Sequence, residues 1–534
     1  MQVCYRGSVA RGLLSALAAC VLTLSAGDVS GQPSGQAQDF VARVNSHYAP
    51  IDASRRSDLV LLPLLAKMER PPTDMDTLDR AVILPASDPA FAPAKAWATA
   101  APQRAVLDGL ARVTQEREWR RAFAFGQAYG FEGVAPEIIA AGLYTDIGDP
   151  PTLGAARHGY LPAFDRVAIL VNVEASRLVG EGKASDAIDV LTNWTYFCRS
   201  ICDRQFFAEA SWGLRHMAQA LERIRDVAYV DSRASRTLDA TRLLDQIRRL
   251  SPTDYLDLSR LQFPIADRAA AEQMLARVYV PRGRVDESVF APAMARLGSS
   301  QHPLRLFSET ARWRGAAAAQ ADWFVATEKV AGVYNDWQNR WLFDWYDRRQ
   351  SLRTAWSSVQ DEIGSLAVLQ ATTPDLGQLA TLRQIARLET SGTRTALAVL
   401  GASMEQRAFP PQLSAVRPRW VPQLDEDPYN PTLRDRGTRP PLEYFVPMRD
   451  TQTAERGERV PYEMDVVTND PARPLTLRLT DDTFVVYSWG SDNAKNFARR
   501  TQNTSAVVQG ADYLIWPPVP SLQRQHLKDL GQVR

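Results

Sequence analysis

The sequence predicts a mainly α-helical chain, a helical array or bundle, ending in a small C-terminal α+β module that combines a long helix with an antiparallel sheet. Three observations predict it. Apolar residues recur at three- and four-residue steps through most of 41–370, the signature of amphipathic helices. Strand-like runs rich in β-branched and aromatic residues appear only beyond Phe409. A length of 534 residues, 45% of them apolar, suffices for more than one core.

The first residues set the expected compartment. Arg6 and Arg11 precede an apolar stretch over 13–25, and the small residues Ala26 and Gly27 follow, the order of a secretory signal over 1–27. The apolar core falls short of the roughly 20 residues that span a bilayer. Export to the periplasm or cell envelope follows, with cleavage near Gly27. Leu17-Ala18-Ala19-Cys20 also matches a bacterial lipobox, so the alternative is lipidation of Cys20, the only route to a membrane read from this chain. Apolar residues continuing through Leu24 favour plain cleavage. Residues 28–40 are small, polar and contain glycine and proline, which reads as a linker.

In the helical domain, 41–370, Leu161, Phe164, Val167, Val171, Ala175, Leu178 and Val179 form one stripe. Gly180 and Gly182 interrupt it, and a second helix starts near Ser185, giving a helical hairpin. No strict period repeats three times, so a regular solenoid is not expected. Further helices are predicted over 101–129, 204–226, 236–249, 264–278 and 316–360. Cys198 and Cys202, spaced i,i+4, suit neither a disulfide nor a complete zinc site. They read as small buried hydrophobes. Trp337, Trp341 and Trp345 step by four on the last predicted helix and should share a face, either as an anchor for a protein partner or as core packing.

After 370, a helix is predicted over 377–407 and strands over 441–446, 475–479 and 483–488, with Asp481-Asp482 as a hairpin turn between the last two. Residues 449–474 read as a polar loop and 519–534 as a tail; Asp425-Glu426-Asp427 reads as a solvated turn before Pro428, with the acid and base of a glycosidase as the alternative.

The segment 374–518 carries a further pattern: a helix, Phe409-Pro410-Pro411-Gln412-Leu413, Trp420-Val421-Pro422, Asp427-Pro428-Tyr429, a strand, Ser488-Trp489-Gly490-Ser491-Asp492 and Asp512. It resembles the soluble C-terminal module of the major pseudopilin of type II secretion (pseudopilin G-like). It is also similar to exported, largely helical proteins of planctomycete-type bacteria, of no assigned activity, that end in such a module. The pilin-type apolar N-terminal helix is missing, so the resemblance implies a fold for the tail and not a filament subunit. It also implies a calcium loop at Ser488, Asp492 and Asp512, with Asn493 and Asn496 as further oxygen donors. Calcium prefers six to eight hard oxygens, several of them anionic. This loop has two carboxylates, has Asn493 where the pattern has glycine, and contains Arg499 and Arg500. The expected role of the aspartates is therefore to fix the loop through backbone hydrogen bonds, with calcium as the alternative.

The 62 basic and 61 acidic residues nearly cancel, which argues against a nucleic-acid partner. The five histidines are scattered, and no phosphate loop or nucleophile elbow is present. The expected function is a non-enzymatic envelope scaffold that contacts protein partners or cell-surface material. The alternative is an envelope hydrolase whose carboxylates converge from distant segments.

Overall fold

The stripe beginning at Leu161 forms helix α1 (Leu161–Gly180), and the second half of the predicted hairpin forms α2 (Ala184–Ile201). Gly182, at φ +71°, makes the turn between them in a left-handed conformation open to glycine at little cost. The computed structural model describes residues 35–253, 255–280, 283–299, 306–433, 438–451, 460–468, 472–504 and 509–534. The signal and the Cys20 lipobox lie outside the described residues. The predicted linker does so only as far as residue 34, because a helix starts at Gly35.

Helix α3 (Phe207–Arg233) packs against α2 closely enough that a Cβ on Gly213 would fall 2.8 Å from the Cys198 carbonyl oxygen. Cys198 and Cys202 are buried free thiols, and the Cys202 Sγ donates to the Cys198 carbonyl at 3.2 Å. Helices α4 (Ala240–Arg249) and α5 (Ala266–Val278) follow at two predicted places. The predicted helix over 316–360 is only partly formed. Helix α6 (Trp323–Leu342), N-capped by Asp322, ends where Phe343 turns extended, and short helical turns follow. The predicted 101–129 helix likewise stops at Val113. Beyond it the chain is drawn into extended pairing: Ser57 N donates to the Ala124 carbonyl, Ala124 N to the Arg55 carbonyl, and Gly126 N to Asp58 Oδ1.

Helix α7 (Leu376–Gln406), capped by Asp375, lies against α3 and α4 on one side and the C-terminal sheet on the other. A two-stranded ladder, β1 (Thr145–Asp146) and β2 (Arg157–His158), sits in the helical body. The main sheet contains β3 (Glu443–Phe445), β4 (Tyr462–Val466), β5 (Leu475–Leu479), β6 (Val485–Ser488), β7 (Arg500–Gln502) and β8 (Asp512–Trp516), in the order β3-β6-β8-β7-β4-β5. The sheet is mixed rather than antiparallel, since β7 runs parallel to both β4 and β8. Nor do Asp481 and Asp482 make a hairpin: β5 pairs with β4 at the edge, while β6 lies between β3 and β8. Asp481 Oδ1 instead accepts from Met448 N and Arg449 N, and Asp482 pairs with Arg233. Strand β4 falls inside the stretch read as a loop.

Alternation divides the strands between two cores. Phe484, Val486, Tyr513, Ile515 and Trp516 join the large cluster that begins at Leu61 and runs through the helices. Val485, Tyr487 and Leu514 face the other way, with Tyr462 and Met464 and with Val519 and Leu522 of α8 (Val519–Asp529). The helical body and the sheet therefore share one core. The segment read as a tail is mostly α8, which packs on α3 and on the helix Leu78–Ile83, with Arg524 2.9 Å from Asp226. Among the described residues no helix is long and apolar enough to cross a membrane.

Candidate functional site

Helix α3 interleaves charge with apolar residues: Glu209, Glu222, Arg223, Arg225, Asp226 and Asp231 are all buried beside Met217, Leu221 and Ile224. Buried charges persist when paired and hydrogen-bonded. Arg225 is paired with Glu389 of α7, and its Nη1 also donates to Thr393 Oγ1 at 2.7 Å. Tyr513 of β8 donates to Glu389 Oε1 at 2.8 Å. The network ties two helices and a strand together.

One turn before Arg225, Glu222 stands on the floor of a cleft of about 700 Å³ between the helical body and the sheet. Its Oε1 accepts from Asn503 Nδ2 at 2.7 Å and its Oε2 from Thr504 Oγ1 at 2.8 Å. Burial, then the nearby Glu389 carboxylate, pushes the Glu222 carboxyl above the usual range. Asn172 of α1 and Gln219 of α3 also line the cleft, and Asn172 Oδ1 and Gln219 Oε1 are buried with no hydrogen-bond partner. Asp79, Arg473 and His526 line the remainder. Unmatched acceptor oxygens on a buried floor suit a ligand that brings N–H or O–H donors.

A second polar knot lies deeper in the helical body. Arg204 Nε donates to Glu209 Oε1 at 2.6 Å, and Tyr129 donates to Glu209 Oε2 at 2.7 Å. Tyr160 also donates to Glu209, and Arg204 Nη1 donates to the Gln127 carbonyl at 2.8 Å. Burial lowers the His158 pKa, although Glu209 pulls it upward.

The residues singled out from sequence do not converge on either place. Ser488 is buried in β6 and donates to Asp427 Oδ1 at 2.7 Å. Asp492 accepts from Ala494 N and Gly510 N at 3.1 and 2.8 Å, while Asp512 accepts from Asn496 N and Ala498 N at 3.0 and 2.6 Å. Asn493 adopts φ +60°, and its Oδ1 lies 2.6 Å from the Tyr346 hydroxyl. Among the described residues, no three His, Cys, Asp or Glu side chains gather in metal-binding fashion. Trp341 is buried, with its Nε1 donating to the Leu261 carbonyl at 2.7 Å. Trp337 is half-buried on the same helix, whereas Trp345 lies past the end of α6 and packs edge-on to Tyr429. All three belong to or pack against the main core, and the predicted common face breaks at Phe343.

Asp425 and Asp427 are not a solvated turn. Asp425 is 2.6 Å from Arg394, and Asp427 is fully buried, accepting from Tyr429 N at 2.9 Å as well as from Ser488. Burial pushes the Asp427 carboxyl up to about 6 from an ordinary value of 3.8. The folded state therefore holds this proton more tightly than the unfolded chain, and the contribution to stability is lost as pH rises from about 4 to about 6. At about 1.4 kcal/mol per unit, Asp427→Asn is expected to remove roughly 2–3 kcal/mol of that pH dependence. Urea unfolding of both proteins at pH 4 and pH 7 measures it, and parallel pH profiles would contradict the assignment.

No family model, curated protein or solved structure matches the chain. The cleft residues escaped sequence reading because Asn172, Gln219 and Glu222 are each ordinary in their own helices and Asn503 and Thr504 lie in a loop far away in sequence. Their one local signal is the density of charge along the buried stripe of α3, where an amphipathic helix would place apolar residues.

Proposed function

We propose that this is an exported protein of the cell envelope that binds hydroxyl-rich cell-surface glycan in the cleft between its helical body and its C-terminal sheet, without transforming it. The observation that carries the reading is the cleft floor: buried Asn172 and Gln219 oxygens without donors stand beside the Glu222 carboxylate. Sugar hydroxyls supply donors in the required density. The order of charge, apolar core and small residues over 1–27 supports export, and the resemblance of 374–518 to the pseudopilin module accords with an extracytoplasmic role. The shared core supports a rigid scaffold, since closing the cleft would require parting residues of one continuous cluster.

The test is a single preparation with two readouts. The full-length chain is produced in a Gram-negative host, released by osmotic shock, and titrated calorimetrically with oligosaccharides cut from cell-wall glycan. The expectation is recovery in the shock fluid and measurable binding that Asn172→Leu weakens about tenfold, the worth of one buried hydrogen bond, at unchanged melting temperature. Retention in the cytoplasm, absence of binding heat, or full affinity in the variant would refute the proposal.

A second reading, an envelope hydrolase, is favoured by one observation: Glu222, with its raised titration, and Asp79 come from separate helices to line the same cleft. A raised carboxyl can serve as general acid toward a glycosidic oxygen. Release of new reducing ends in the same titration, lost in Glu222→Gln, would select this reading over simple binding.

A further inference from the structure

A second cavity, of about 630 Å³, opens on the helical body, separate from the cleft at the sheet. Its polar wall is strongly one-signed. Arg55, Arg120, Arg199 and Arg260 line it, against the single carboxylate of Asp203. Three of these guanidiniums rest on aromatic rings. Arg120 and Arg260 lie 5.5 and 5.2 Å from the centroid of the Trp119 ring, and Arg199 lies 5.4 Å from that of Tyr255. Stacking of this kind fixes the plane of a guanidinium and leaves its N–H edge for bidentate contact with an oxyanion.

The four arginines differ in how far they are already engaged. Arg199, in the last turn of α2, is only 4% exposed. Its Nη1 donates to Asp203 Oδ2 at 2.8 Å, while its Nε is buried with no hydrogen-bond partner. Arg260 is held by Asp257 at 3.3 Å. Arg55 donates only a long bond, 3.4 Å, to the Ala122 carbonyl, and Arg120 is exposed beside Trp119. Asp203 and Asp257 answer Arg199 and Arg260, and bringing the further cations Arg55 and Arg120 to the same wall is unfavourable in a protein that only folds. A buried donor left unmatched adds to that cost.

We infer that this cavity binds a small polyanion carrying at least two carboxylate or phosphate groups. One group reaches the Arg199 edge and a second the Arg55 and Arg120 side. The volume lies in the range of small-molecule sites, about 300–1,000 Å³, and suits a compact ligand better than a polymer. Planar bidentate pairing is the chemistry at which arginine exceeds lysine. Carboxylate and phosphate share that chemistry, and the probes distinguish them.

The experiment uses the full chain and three probes, citrate, pyrophosphate and neutral sucrose, followed by calorimetry and by thermal melting at low and physiological salt. One of the two anions is expected to bind and raise the melting temperature, with affinity falling as salt screens the charges, while sucrose does neither. The double variant Arg55→Ala/Arg120→Ala, both positions exposed, should fold normally and bind at least about tenfold more weakly, the worth of one charge-assisted hydrogen bond. Binding of citrate alone identifies a carboxylate ligand and of pyrophosphate alone a phosphate ligand. No binding of either anion, equal binding of sucrose, or undiminished binding by the double variant would overturn the inference. Because the glycan titration probes the other cavity, either result can fail while the other stands.

Discussion

Replacing Glu389 with alanine is expected to destabilise the protein by about 3–5 kcal/mol, the cost of leaving a buried charge without its partner. Arg225 and Glu389 are both fully buried, and the carboxylate receives Arg225 from α3 and the Tyr513 hydroxyl from β8. Removing it takes this acceptor from the Tyr513 hydroxyl and leaves Arg225 only the neutral Thr393 hydroxyl. Arg225 Nε and Nη2 already lack hydrogen-bond partners, and the Thr393 hydroxyl cannot neutralise the guanidinium. The site is also where α3, α7 and the sheet meet, so its loss should be felt on both sides of the shared core. Urea unfolding, followed by tryptophan fluorescence for the whole chain, provides the measurement. An Arg225→Met/Glu389→Leu double variant should recover most of the loss, since apolar replacement of a buried pair is often neutral. A change below about 1 kcal/mol in the single variant would show that water or another group satisfies Arg225.

Glu209→Ala should have an effect of the same order, about 3–5 kcal/mol, for a related reason. Glu209 is fully buried and gathers Arg204, Tyr129 and Tyr160 from three separate stretches of chain. It also accepts from Phe206 N at 3.3 Å, tying down the start of α3. The Arg204 side chain stacks on Tyr48 and Tyr129 at 4.1 and 4.5 Å, so a shift of the guanidinium would disturb the helix Gly35–Asn45 region and the loop after Val113 together. Amide hydrogen exchange should report faster opening at 125–130 and 204–210, beyond the drop in melting temperature. Glu209→Gln keeps two acceptor lone pairs but not the charge, and should fall between wild type and alanine. If the alanine variant unfolds at the wild-type denaturant midpoint, the knot is not holding the fold.

Helix locations were legible in the sequence because an amphipathic stripe is a local property. The α1–α2 hairpin, α3, α4, α5 and α7 all lie where spacing placed them, and three of the six main-sheet strands carry the predicted β-branched and aromatic runs. The failures share a cause. Residues 114–129 have helical spacing but find extended partners at Arg55 and Ser57, and Arg500–Gln502 is a strand only because β4 and β8 flank it. Strand order, the parallel pairs and the role of Asp481 depend on which segments meet, which no window of sequence records.

The sequence by itself determined the helical body, the C-terminal position of the sheet and the near balance of charge, since each is written in composition or short-range period. Only the tertiary structure decided that body and sheet share one core, that Asp427 is buried rather than solvated, and that Glu222 and the arginine-lined wall each face a cavity. The physical reason is range. A helix or strand is selected over a few residues by periodicity and capping, whereas a binding site is built from side chains hundreds of positions apart. Their burial, charge and missing partners come into being only once the chain has closed around them.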